Sequence, residues 1–112
     1  MTSQLAESAL PDGRKVITAS GELDQIELPP LRLTIRKAFA DGARHVVIDM
    51  SEVSYMDSSV LAALIAESIA ADGRSARLTI VTGTTGIMRS FELKGLTQVM
   101  HLVETLDQAL AH

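Results

Sequence analysis

The segment His45-Val-Val-Ile-Asp-Met50 carries three apolar residues in a row, and Arg77-Leu-Thr-Ile-Val-Thr82 has a similar build. Runs of this kind suit strands at the centre of a sheet, covered on both faces. Between them lies an apolar-periodic stretch from Ser58 to about Asp72, which Gly73 is placed to stop. Strands linked by a helix run parallel, with a right-handed crossover. This unit makes the chain α/β and fixes the frame for the rest.

Upstream, Gln4 to Leu10 and Lys15 to Ser20 flank Pro11-Asp12-Gly13. Pro presets φ and Gly accepts positive φ, so the pair reads as an antiparallel hairpin. Gly21-Glu22-Leu23-Asp24 then breaks the pattern. Pro29-Pro30 suits only the first turn of a helix, so helix one starts there. Leu31, Ile35, Ala38 and Phe39 form its apolar stripe, Arg32, Arg36 and Lys37 face away, and Asp41-Gly42 ends it. Ser51 to Asp57 is expected to be a loop with a hydrophobic patch. Helix two has Leu61, Leu64, Ile65, Ser68 and Ile69 as its inner stripe. Gly83-Thr84-Thr85-Gly86 turns the chain into a third helix carrying Ile87, Met88, Phe91 and Leu93, which Gly95 ends. Val99 to Val103 is a short last strand, and Thr105 caps a final helix over Leu106 to Ala111. The expected architecture is a single domain over residues 1–112: a mostly parallel sheet, one antiparallel hairpin strand at the N-terminus, and about four helices.

Charge excludes several functions. The net charge is -4 and the pI about 5.2. Phosphate neutralisation needs a basic surface, so nucleic acid is not an expected partner, nor is an anionic membrane. Cysteine is absent, which removes disulfides, thiol catalysis and cysteine-type zinc sites. No apolar run reaches the ~18–20 residues of a spanning helix. Met1 to Ala9 lacks the basic start and apolar stretch of a signal peptide. The cytoplasm is the default location.

Functional loops in parallel sheets lie beyond the carboxyl ends of the strands. Here those are Gly21 to Asp24, Ser51 to Ser59 and Gly83 to Gly86. The second says most. Asp57 directly precedes an apolar-periodic run and is placed as an N-cap. Met56 and Leu61 have the spacing of a hydrophobic staple. The plain reading is a well-capped helix start; the functional one is a phosphorylation switch at Ser58 or Ser59. At ~100° per residue, Ser58 lies roughly 50° from the centre of the apolar stripe and Ser59 roughly 150°. Geometry alone therefore makes Ser59 the more exposed. Asp24 sits in a polar loop expected near the same edge, with a turn or a distal cap as its plain role.

Catalytic chemistry finds little support. His45, His101 and His112 show no metal-pair spacing. No Gly-x-Ser-x-Gly elbow is present. Gly83 to Gly86 lacks the lysine and spacing of a P-loop. Asp49 lacks the neighbouring acids of a receiver-type phospho-acceptor. No enzyme activity, cofactor or metal is expected.

Three ordered blocks now stand out: Gly21-Glu22-Leu23-Asp24; Asp49-Met50-Ser51 with Val53 and Met56-Asp57-Ser58-Ser59; and Arg89 through Phe91 to Gly95-Leu96. Together they resemble the STAS family, the domains of sulfate transporters and anti-sigma factor antagonists, over nearly the whole chain. Resemblance to the stand-alone members implies an anti-sigma factor antagonist. Such a protein binds a serine-kinase anti-sigma factor when unphosphorylated, is phosphorylated on the first serine, and is reset by a phosphatase. That serine corresponds to Ser58, against the geometric preference for Ser59. The implied partner-binding residues are Glu22, Asp24, Met56, Asp57, Ser58, Ser59 and Val60. Val60 replaces a family glycine, and its bulk is expected at the docking surface. Leu28-Pro29-Pro30-Leu31 resembles instead the small STAS subunit of bacterial lipid-transport ABC systems, which binds an ATPase with no phosphoserine cycle.

Overall fold

The computed structural model describes residues 4–83 and 100–111. Its strands are β1 (Gln4–Ala9), β2 (Lys15–Leu23), β3 (His45–Met56), β4 (Arg77–Val81) and β5 (His101–Val103). Its helices among the described residues are α1 (Leu28–Ala40), α2 (Ser58–Gly73) and α3 (Leu106–Leu110). The third helix expected around Ile87 to Leu93, and the turn residues Thr84 to Gly86, lie outside the described residues. The sheet order is β1-β2-β3-β4-β5, with β1 antiparallel to β2 and every other pair parallel. The α/β frame read from the two central strands and the N-terminal hairpin is thus the observed one.

Side chains alternate across a strand. Ile17, Ile48 and Ile80 point to one face, with Val46 and Leu78, and pack beneath Leu31, Ile35 and Ala38 of α1 and Leu61, Leu64 and Ala71 of α2. Val16, Val47 and Val81 point to the other, where Ala109 of α3 covers them with Leu106 and Leu110. Both faces of β3 and β4 are therefore buried, which explains their unbroken apolar runs. Thr105 closes the N-terminus of α3 in a capping box with Gln108.

Three expectations change. Ser51 to Met56, and Gly21 to Leu23 beside it, are strand, not loop: β3 continues along β2 to the pairs Gly21↔Val53, Glu22↔Tyr55 and Leu23↔Met56. Two register shifts, between Thr18 and Ser20 and between Gly21 and Glu22, each insert an extra residue on β3. Such bulges break the two-residue period that would have marked the strand. Because β3–β4 pairing ends at Asp49↔Val81, this last part of β3 projects beyond β4 as a two-stranded extension with β2.

Arg32 and Arg36 do not both point away from the molecule. Their guanidinium groups converge on one oxygen of Glu67, at 3.0 Å each. Glu67 lies on the buried face of α2, and the pair of arginines ties α1 to α2. The buried face of α2 itself is Val60, Leu61, Ala63, Leu64, Glu67, Ser68 and Ala71, while Ile69 is 59% exposed. The expected stripe was rotated toward Ile65 and Ile69.

Candidate functional site at the amino terminus of α2

The projecting end of β3 delivers Asp57 to the mouth of α2. Its backbone is extended, with φ -83° and ψ 171°, the conformation of an N-cap. Its N–H donates to the carbonyl of Leu23 at 3.1 Å, so the ends of β2 and β3 are held together. Carboxylate Oδ1 accepts from the N–H groups of Ser59 (3.1 Å) and Val60 (3.2 Å), and from the Ser59 hydroxyl at 2.6 Å. The Ser59 hydroxyl is the largest effect and holds the Asp57 carboxyl below its usual pKa; burial, the next largest, opposes it, and the backbone N–H groups of Val60, Ser59 and Gln25 lower it further.

This geometry separates the two serines. Ser58, the first helical residue, is exposed, and its hydroxyl bonds to no described residue. Ser59 is half-buried, and its hydroxyl is committed to Asp57. The geometric preference for Ser59 is therefore reversed. Its source was the misplaced stripe: moving the buried face to Val60, Glu67 and Ala71 rotates its centre by roughly 85° at ~100° per residue, and both serines then point outward. The cap bond then distinguishes them: it engages the Ser59 hydroxyl and not that of Ser58.

The expected docking residues divide in the same way. Glu22 is exposed beside this edge, and Met56 is half-buried against the core. Asp24 is half-buried and its Oδ1 accepts the Ile26 N–H at 2.9 Å, so it shapes the turn into α1. Val60 is a correction: it is 0% exposed and belongs to the core. At the third helical position its side chain points inward, so it offers no bulk to a partner. The third block, Arg89 through Phe91 to Gly95-Leu96, lies outside the described residues.

Two exposed residues were missed: Ile26, 76% exposed in the β2–α1 turn, and Tyr55, 52% exposed near the end of β3. The available signals were an isolated apolar residue between Asp24 and Glu27, and the chain's only tyrosine. Ile26 and Tyr55 belong to the two segments that the Leu23–Asp57 bond joins.

A family model described as "Mlab, STAS domain" matches residues 7–109. The chain belongs to the STAS domain family. This STAS domain is 32% identical over 88 residues to the anti-sigma-B factor antagonist of Staphylococcus aureus, covering 79% of this chain and 82% of that one. It is 32% identical over 99 residues to the anti-sigma-F factor antagonist RsfB of Mycobacterium tuberculosis, covering 88% and 80%. The crystal structure of an anti-sigma factor antagonist from Mycobacterium paratuberculosis superposes with a TM-score of 0.88 at 30% identity, covering 98% of this STAS domain and 92% of the other chain. No helix among the described residues is long and apolar enough to cross a membrane.

Proposed function

We propose that this STAS domain is a regulatory, non-catalytic anti-sigma factor antagonist of the bacterial cytoplasm, switched at Ser58. Unphosphorylated, it binds a serine-kinase anti-sigma factor through the edge carrying Glu22, Ile26, Tyr55, Met56 and Ser58. The kinase moves the γ-phosphoryl group of ATP to Ser58 Oγ, which loses its proton as ADP leaves. Hydrolysis of the phosphoester by a phosphatase restores the hydroxyl. The observation that carries this reading is the exposed Ser58 hydroxyl, unbonded among the described residues, beside a Ser59 hydroxyl already held by Asp57.

Electrostatics fit a binding switch better than a folding switch. A phosphate brings a charge of roughly -1.5 to -2. The positive end of α2 favours it by about 0.3–1 kcal/mol, and the neighbouring Asp57 carboxylate opposes it. Domain stability then changes little, while a partner seated on Ser58 meets a dianion. The test is calorimetric titration of the anti-sigma factor encoded in the same cell. Ser58→Ala is expected to bind as the unmodified protein does, and Ser58→Asp to lose binding. Equal affinities would refute the proposal.

A second reading is a subunit seated on an ABC-transporter ATPase. It is favoured by the Mlab description of the matched family and by Leu28-Pro29-Pro30-Leu31 at the start of α1. On that reading the protein co-purifies with a membrane complex and Ser58→Asp leaves the association intact.

A further inference from the structure

The end of the sheet away from Ser58 carries a second concentration of polar groups. His45, Arg77 and His101 are the first residues of three adjacent parallel strands, β3, β4 and β5. His45 pairs with Arg77 in register, and Thr79 with His101. Pairing places His45, Arg77, Thr79 and His101 on the α3 side of the sheet, alongside the alternation that puts Val47 and Val81 there. Ala109 and its neighbours cover the valines. Two clefts share His45, Arg77 and His101: one of about 540 Å³ that also includes Arg44 and Ser75, and one of about 370 Å³ that includes Thr79 and Met100.

Among the described residues, cations dominate this end. Arg44 and Arg77 are exposed, and neither has a carboxylate partner among the described residues. The acid lining the larger cleft, Asp72, is engaged with His101 Nε2 at 3.2 Å. Arg14 is near, with Asp12 bound to its Nε at 2.8 Å. The C-terminus of α2 contributes partial negative charge here, and Arg74, stacked over Phe39 at 5.2 Å, lies beside it. Burial first, then Arg77, Arg14 and His101, hold the pKa of His45 below the ordinary value, with Asp12 opposing. Its Nε2 lies 2.8 Å from Thr79 Oγ1.

We propose that this cleft binds a small phosphoryl-bearing dianion, with Arg77 as its principal ligand and Arg44, His45 and His101 around it. A guanidinium without a carboxylate offers a planar fork that matches a phosphoryl group. The volume of about 540 Å³ suits a metabolite-sized ligand rather than an ion alone, and Ala76 supplies an apolar wall beside the charges. The site lies at the opposite end of the sheet from Ser58 and does not depend on the switch.

The test is titration of phenyl phosphate, and separately inorganic phosphate, into isotope-labelled full-length protein at constant ionic strength near neutral pH. Saturable amide shifts are expected at Arg44, His45, Arg77 and His101, together with a rise in the pKa of the His45 ring on binding. Arg77→Gln should weaken binding about tenfold, one charge-assisted contact, while Arg77→Lys keeps part of it. Tighter binding of phenyl phosphate assigns an ester, and tighter binding of inorganic phosphate assigns the free anion. Shifts confined to the Ser58 end, or an affinity unchanged by Arg77→Gln in a folded variant, would overturn the proposal.

Discussion

The backbone N–H of Asp57 donates to the carbonyl of Leu23 at 3.1 Å. This bond fastens the ends of β2 and β3 just where the chain enters α2. The same residue then turns its carboxylate to the first turn of the helix. Asp57 thus sets both the height of the helix mouth above the sheet and the direction in which Ser58 leaves it.

Replacing Asp57 with Ala removes the acceptor for the Ser59 and Val60 N–H groups and for the Ser59 hydroxyl. A lower urea midpoint is expected, with Asn, which keeps one acceptor oxygen, losing less. The pH dependence has a definite sign. The folded carboxyl ionises below its usual pKa, chiefly through the Ser59 hydroxyl. Its stabilisation is therefore present above the unfolded pKa and lost as pH falls through the folded one. Urea melts across the acidic range should show wild type losing more stability than Asp57→Asn. Parallel losses would contradict this.

Glu67 is buried with a side chain 6% exposed, while Arg32 and Arg36 are 35% and 60% exposed. Glu67→Ala should cost about 2–3 kcal/mol, below the loss for a fully buried pair because solvent screens Arg36. Arg36→Met should cost less than Arg32→Met. Equilibrium denaturation of the three variants checks the order.

Gly83 has φ +68°, and a Cβ there would sit 3.1 Å from the Cβ of Ser51. Gly42 has φ +102° with open space around it. Gly83→Ala should therefore destabilise by about 2 kcal/mol and Gly42→Ala by about 1 kcal/mol. Thermal melts of the two variants measure the difference, which is the contribution of crowding against β3.

Ile26 and Tyr55 touch solvent rather than core. Ile26→Ser and Tyr55→Ala should leave the melting temperature nearly unchanged and weaken the partner roughly tenfold or more, as anchors at the centre of an interface do. Calorimetry with the anti-sigma factor, beside a thermal melt of each variant, reads both.

Much of the frame was legible because β3 and β4 are buried on both faces and so read as unbroken apolar runs. Pro11-Asp12-Gly13, Asp57 and Thr105 marked a turn and two caps through local chemistry that tertiary packing leaves alone. The misreadings share a cause. Two bulges hid the second half of β3, since a period-two signal shifts phase at each extra residue. Val60, Ala63, Glu67 and Ala71 were left out of the inner face of α2; Glu67 shows as polar until its arginines are seen. That omission turned the helix and made Ser59 read as the more exposed serine. The bond from Ser59 to Asp57 is a local contact that helix periodicity cannot reveal.

On the proposed function Ser58, and not Ser59, carries the switch. The most direct measurement is phosphorylation by the cognate anti-sigma factor kinase with ATP, followed by fragmentation mass spectrometry of the peptide spanning Asp57 to Ser59. One phosphate on Ser58, with Ser58→Ala left unmodified, is the predicted result. Phosphate on Ser59, or equal incorporation in the Ser58→Ala protein, would contradict it.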